Sequence, residues 1–171
     1  MKGSIKMTTE KVREYMRNIG LEDRIKEFDV SSATVELAAE AVGVIPARIC
    51  KTLTFKDPKN EDGCILIQAA GDTKIQNGKF KRFFGGKASM LSPDEVKEYT
   101  GHEVGGVCAF ALAQPDKVKV YADVSLQRFD TVFPAAGTDA SAIELTCDEL
   151  FDSSKALEWI DVCKIPEEEA K

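Results

Sequence analysis

A lysine set inside an apolar strand pattern is the residue of this chain best placed to do chemistry. In the run ICKTLTF, residues 49 to 55, side chains alternate between two faces. Ile49, Lys51, Leu53 and Phe55 share one row, and Cys50, Thr52 and Thr54 share the other. An ammonium on an apolar row either carries its charge out to water along its aliphatic stem or faces a polar cavity. In the second arrangement Lys51 lines a pocket that receives an anion or a carbonyl oxygen.

Two loops supply further candidates. In GHEVGGVCA, residues 101 to 109, the pair Gly105 and Gly106 lets backbone approach a ligand and aims N–H groups at an oxyanion, unless it is an ordinary turn. In FPAAGTDASAIEL, residues 133 to 145, Pro134 and Gly137 bound a loop carrying Thr138, Asp139 and Ser141. Small hydroxyls and a carboxylate beside a glycine suit a ribose or an amino group; the same residues also make plain turns. The stretch KIQNGKFKRFFGGK, residues 74 to 87, holds Lys74, Lys79, Lys81, Arg82 and Lys87 with no acid. It reads as a solvated helix face or as a surface for phosphates.

Other chemistries find no support. His102 is the single histidine, and its place between Gly101 and Glu103 reads as a surface loop. Cys108 lies further along that loop, so a thiol–imidazole pair is conceivable, but no third residue orients it. The five cysteines are odd in number, widely spaced and free of any CxxC pair. They read as reduced thiols, not as disulfides or a zinc site. HExxH, GxSxG, Walker and GxGxxG motifs are absent, so no metal or other cofactor is expected.

The elements that must position these residues follow from caps and periodicity. Thr8 or Thr9 opens a helix running to Asn18, and Gly20 stops it. A strand covers 25–30. A second helix opens at 32–34 and ends before Gly43, and Pro46 starts a short helical turn. Strands at 49–55 and 63–70 flank the turn-rich DPKNEDG. A basic helix spans 77–84. Ser92-Pro93-Asp94-Glu95 starts another helix that ends at Gly101. Strands are expected at 118–122, 131–133, 141–145 and 158–162, with a short helix capped by Thr146 through Phe151. The mixture lacks Rossmann alternation and points to an α/β or α+β protein around one mixed sheet.

The 171 residues fit one domain, 1–171 with a core over about 8–163, and 43% hydrophobic with 30% charged residues is ordinary for a soluble protein. No apolar run reaches the roughly 20 residues needed to span a bilayer. The polar start, residues 1 to 9, lacks a signal core, so the expected location is cytoplasmic. The net charge of −6 opposes binding of a polyanion overall, which gives the local basic run at 74–87 its importance.

Three segments, TVELAAEAVGVIPARICKTLTF (34–55), KASMLSPDEVKEYTGHEVGGVCAFAL (87–112) and VYADVSLQRFDTVFPAAGTDASAIEL (120–145), occur in the order of the YbaK / prolyl-tRNA-synthetase-associated family. The chain resembles that family over residues 8 to 163. The resemblance implies a mixed sheet curled into a partly closed barrel with helices outside. It implies hydrolysis of the ester between an amino acid and a tRNA 3′ end, such as cysteine or alanine on proline tRNA. The family's pocket lysine corresponds to Lys51. Its GxxxP loop corresponds to Gly105 through position 109, where this chain has Ala109 in place of the proline many members carry. Its glycine and small-polar loop corresponds to Gly137, Thr138, Asp139 and Ser141.

The implied partners are the acceptor end of an aminoacyl-tRNA and a prolyl-tRNA synthetase, with no DNA and no membrane. Lys51 would hold the terminal phosphate or the aminoacyl group, Gly105 and Gly106 would polarise the carbonyl, and Lys74, Lys79, Lys81, Arg82 and Lys87 would contact tRNA phosphates. Two other readings stay open. One is a module of the same fold that binds a tRNA, a nucleotide or a synthetase without turnover. The other is a thiol hydrolase using Cys108.

Overall fold

The computed structural model describes residues 2–29 and 34–166. Its helices are α1 (Lys2–Asn18), α2 (Val35–Val42), α3 (Asn77–Phe84), α4 (Pro93–Thr100) and α5 (Cys147–Ser153). Its strands are β1 (Ile25–Glu27), β2 (Ile49–Asp57), β3 (Asn60–Ala70), β4 (Lys74–Ile75), β5 (Val118–Asp123), β6 (Thr131–Pro134), β7 (Ser141–Ile143), β8 (Leu145–Thr146), β9 (Trp159–Ile160) and β10 (Cys163–Lys164). Among the described residues no helix is long and apolar enough to cross a membrane.

Local chemistry accounts for most boundaries. The Thr34 hydroxyl accepts from the Leu37 N–H and caps α2. Ser92 with Glu95, and Thr146 with Glu149, form reciprocal capping boxes on α4 and α5, which satisfy donors that a helix start leaves open. Gly43, Gly85 and Gly101 end α2, α3 and α4 in the left-handed region, where a Cβ would be strained.

Several boundaries differ from expectation. α1 begins at Lys2, ahead of Thr8 and Thr9, because no proline or cap interrupts the residues before them. The first strand stops at Glu27; Val30 and the Ser32 helix start lie outside the described residues. The expected 141–145 strand is two strands. β7 pairs with β1 in a small sheet, and β8 pairs with β6 in the main one. Glu144 sits at the change of partner. The last strand shortens to Trp159–Ile160.

The main sheet has six strands in the order β8-β6-β2-β3-β5-β9. β2 and β3 form the long antiparallel centre, with Lys51 opposite Ala69 and Thr52 opposite Gln68. β6, β5 and β9 join in parallel, and β8 antiparallel. The result is a curled mixed α/β half-barrel with helices outside, as the family resemblance implies.

Each face of the sheet packs its own core. Phe55, Ile65, Ile67 and Ala69 meet Phe80 and Phe84 of α3. The opposite face carries Cys64 and Leu66, which pack with Leu91, Val96, Tyr99 and Ala109. α3 is therefore held by two aromatic side chains, with Phe80 centred 5.0 Å from Phe55 and 4.6 Å from Phe84. Burying such a ring contributes about 1.5–3 kcal/mol by area alone. At the end of β3, Gly71 lies under α2: a Cβ there would sit 2.2 Å from the Pro46 carbonyl oxygen and 2.6 Å from a Val35 methyl.

Phe80 is fully buried, so Phe80→Ala should lower unfolding free energy by about 3–5 kcal/mol in urea titration. A loss below about 1 kcal/mol would mean that α3 is not anchored by this ring.

Candidate functional site

The outer edge of β2 is interrupted, and the interruption is the candidate site. β6 pairs with β2 only at Ile49 and Cys50. Further along, the Thr54 carbonyl accepts from the Leu91 N–H, and the Lys56 N–H donates to the Ser89 carbonyl. Between these two attachments, among the described residues, nothing pairs with β2 on the side away from β3. Backbone groups of successive strand residues point to opposite sides. Thr54 and Lys56 point outward, so the N–H and C=O of Thr52 point outward too, into the gap.

A cleft of about 360 Å³ occupies this gap. Thr34, Val35 and Ala38 of the α2 start bound it on one side, Met90, Leu91 and Val96 on another, and Phe133, Ser141 and Ala142 on a third. Lys51 and Gly105 also line it, and among the described residues no carboxylate does. An anionic group can therefore enter without meeting a like charge, and among the described residues Lys51 is the single residue of the wall with an ionisable amine or acid.

Lys51 is half-buried, and its ammonium donates to the carbonyl of Thr73. Burial lowers its pKa from the ordinary lysine value; Cys163 and Asp72 pull it partly back, and Lys74 pushes it down. The amine thus rests on the neutral carbonyl of Thr73, near Lys74, among residues that do not themselves line the cleft, while Arg128 holds Asp72 in a two-pronged ion pair of 2.7 and 3.2 Å.

The two glycine loops meet beside the cleft. A Cβ on Gly106 would stand 2.5 Å from the Thr138 Cα, so the absence of a side chain at 106 is what lets the loops touch. Gly105 lines the cleft with φ 102°. Gly106 does not line it, and its N–H donates to the Glu103 carbonyl at 3.0 Å. That amide is engaged inside the loop, which corrects the expectation that both glycines aim a donor at a carbonyl. Gly137, with φ 99°, Thr138 and Asp139 stand behind the wall, and of this loop Ser141 reaches the cleft. The Ser141 hydroxyl accepts from the amides of Ala136 and Thr138 and donates to the Thr138 carbonyl. These bonds shape the loop.

The basic run divides. Lys79 bonds Asp161 at 3.0 Å and the Cys163 carbonyl at 3.1 Å. Lys74, Lys81, Arg82 and Lys87 are exposed. α3 stands on the sheet face of the Leu53 and Phe55 row, the row that also carries Lys51. Among the described residues no group of three or more His, Cys, Asp or Glu is placed to hold a metal ion.

His102 is not on the surface: it is 1% exposed. Its Nε2 lies 2.8 Å from the Phe110 carbonyl and 3.5 Å from Cys108 Sγ. The thiol and imidazole do pair, but both are buried and neither lines the cleft. All five cysteines are free. Burial pushes the Cys64 and Cys163 thiols up to about 12 and raises Cys50 as well, so they remain neutral at physiological pH.

Thr52 is the residue that sequence reasoning passed over. It lines the cleft, its main-chain groups face the gap, and its buried Oγ1 has no hydrogen-bond partner. An orphan hydroxyl costs about 1–3 kcal/mol and marks a place where a ligand atom would be welcome. The available signal was a threonine on the polar row next to Lys51; what could not be read was where the neighbouring strand ends.

Comparison with known proteins agrees with this architecture. Residues 29–152 match the model of the aminoacyl-tRNA editing domain. The chain is 54% identical over 158 residues to the uncharacterised protein YwhH of Bacillus subtilis (strain 168), covering 92% of this chain and 98% of that one. It is 27% identical over 139 residues to a proline–tRNA ligase of Thermosipho africanus (strain TCF52B), covering 80% of this chain and 23% of the ligase. The crystal structure of a proposed trans-editing enzyme for prolyl tRNA synthetase superposes with a TM-score of 0.81 at 28% identity, covering 92% of this chain and 97% of that one. With the family model spanning well over half its length, and with the half-barrel and cleft in place, this chain belongs to the aminoacyl-tRNA editing domain family.

Proposed function

We propose that the cleft hydrolyses the ester joining an amino acid to the 3′ end of a mischarged tRNA. Cysteine or alanine on proline tRNA is the substrate the family resemblance favours. The observation that carries this reading is the interrupted edge of β2, which places a lysine, an unpaired main-chain segment and a glycine loop around one carboxylate-free cleft.

An aminoacyl ester is an activated acyl group, so positioning and oxyanion stabilisation suffice. A phosphate oxygen is a stronger acceptor than a neutral carbonyl. The Lys51 ammonium exchanges the Thr73 carbonyl for the terminal phosphate of the substrate. The Thr52 N–H and the backbone at Gly105 face the ester carbonyl, and the Thr52 hydroxyl finds its missing partner on the aminoacyl or ribose group. Water adds to the carbonyl carbon, the bond to the ribose oxygen breaks, and that oxygen takes the proton water loses. A ribose hydroxyl of the substrate assists the water, as the family resemblance implies. Lys74, Lys81, Arg82 and Lys87 meet acceptor-stem phosphates, with Lys79 doing so only if it leaves Asp161. The protein acts on aminoacyl-tRNA either alone or with a prolyl-tRNA synthetase.

A second reading, binding without turnover, draws on the Lys51–Thr73 bond, which engages the amine within the protein. A panel of mischarged tRNAs decides: release of any amino acid supports the hydrolase, and tight binding without release supports the module. On the substrate so found, Lys51→Ala should lower deacylation by about a hundredfold or more, with the melting temperature lowered by no more than loss of the bond to the Thr73 carbonyl accounts for; full turnover would remove Lys51 from the mechanism. Thr52→Val keeps the shape and deletes the orphan hydroxyl, so it should slow deacylation about tenfold, roughly the worth of one hydrogen bond, without loss of stability. A wild-type rate in Thr52→Val assigns this hydroxyl no role. Reversing charge at Lys81 and Arg82 should reduce the slope of log affinity against log salt by about 0.7–0.9 for each phosphate that is no longer neutralised. An unchanged slope would exclude α3 as the docking surface.

A further inference from the structure

The loop that brings Gly105 to the cleft is tied at its base by a histidine that the proposed chemistry does not use. We infer that His102 is a positioning residue: its imidazole closes the 102–110 loop by donating from Nε2–H to the Phe110 carbonyl, and this bond sets the wall of the cleft.

Four observations carry the inference. His102 begins the loop and its N–H donates to the Thr100 hydroxyl at 3.1 Å, which itself donates to the Val96 carbonyl at 2.7 Å. The start of the loop is thereby fixed to α4. The imidazole then spans the base of the loop to Phe110 at 2.8 Å. A carbonyl only accepts, so Nε2 carries the proton. Nδ1 is buried without a partner, which fits an unprotonated nitrogen better than a buried, unpaired N–H. Finally, Ala111, next after Phe110, has φ 53°. A non-glycine residue persists in the left-handed region where its surroundings over-determine it, and the His102 bond to the preceding carbonyl does so here.

The tip of the loop, residues 104–106, is the part least held by packing. Val104 is 65% exposed, and the Gly106 N–H bonds within the loop. The loop's other ties are an exposed ion pair from Glu103 to Lys97 of α4 at 3.0 Å, the packing of Val107 and Ala109 with Leu91 and Val96, and the glycine-to-backbone approach at Thr138, which fails if the loop drifts. Packing completes the clamp from the other side: Phe110 is fully buried and its ring lies 6.1 Å from that of Tyr15 in α1. Cys108 sits beside the imidazole as a filler of the same pocket, in a cluster with Cys50, Ala70 and Phe110.

The test compares His102→Leu, His102→Gln and Cys108→Ala in the full chain. Glutamine supplies an N–H donor for the Phe110 carbonyl; leucine fills the space and supplies none. Amide hydrogen exchange at residues 103–109 should quicken at least tenfold in His102→Leu and return toward wild type in His102→Gln. The deacylation kcat should fall about tenfold in His102→Leu, recover in His102→Gln and stay unchanged in Cys108→Ala. Wild-type exchange and kcat in His102→Leu overturn the inference. A kcat loss in Cys108→Ala equal to that in His102→Leu also overturns it, in favour of a thiol–imidazole pair. Should His102→Leu not fold, nitrogen NMR of the wild-type imidazole decides: the Nε2–H tautomer supports the staple, and the Nδ1–H tautomer overturns it. The kcat arm rests on the deacylase reading. If wild type releases no amino acid from any tRNA, that reading fails, while exchange and tautomer still judge His102.

Discussion

The long antiparallel ladder between β2 and β3 is the constraint on which the rest of this structure depends. It is paired from Cys50 to Asp57, and its registered alternation divides the side chains of β2 between two faces. Leu53 and Phe55 go to α3, and Cys50 goes to the cluster under α1. Because the β3 side of β2 is fully engaged, the strand can lose its outer neighbour for a few residues without fraying. An open backbone edge is normally a liability. Here it is short, recessed, and flanked by β6 and the 89–91 segment, so a small molecule reaches it and another strand does not.

This arrangement makes the cleft mostly a backbone feature. Its polar surface comes from one strand edge, one lysine and a few hydroxyls, and its apolar walls combine exposed Met90 and Val104 with residues that also pack in the cores. Ile49 and Phe133 belong to the same cluster as Ala39 and Ala142 while also lining the cleft. Leu91 and Val96 do the same on the opposite side. The cleft and the core therefore share these side chains.

Much of this was legible in the sequence where the determining interactions are local. Caps at Thr34, Ser92 and Thr146, stops at Gly43, Gly85 and Gly101, and the split rows of β2 all follow from residues within a turn or a strand. Motif order across three segments made the family and the half-barrel legible as well. What could not be read depends on distant partners. The gap at Thr52 exists because β6 ends at Pro134 and the next attachment begins at Leu91, and no pattern within 49–55 records either. No turn residue breaks the run from Ser141 through Leu145, so the change of sheet at Glu144 is invisible without β1 and β6. His102 looked exposed between a glycine and a glutamate, yet α1 brings Val12, Met16 and Tyr15 over the cluster of Cys108 and Phe110. The roles of Gly105 and Gly106 separate only once the Glu103 turn is seen.

The close approach at Gly71 bears on how such a cleft diversifies. With a hydrogen atom in place of a side chain, the end of β3 slides beneath the Pro46 carbonyl, and α2 settles at a fixed height above β2. The spacing of the two jaws is thereby set largely by main-chain contact, with the Val35 side chain, which also lines the cleft, sharing in it. Ala38, Met90 and Val104 line the cleft without entering that contact, so a change of residue there alters the lining and leaves the frame in place.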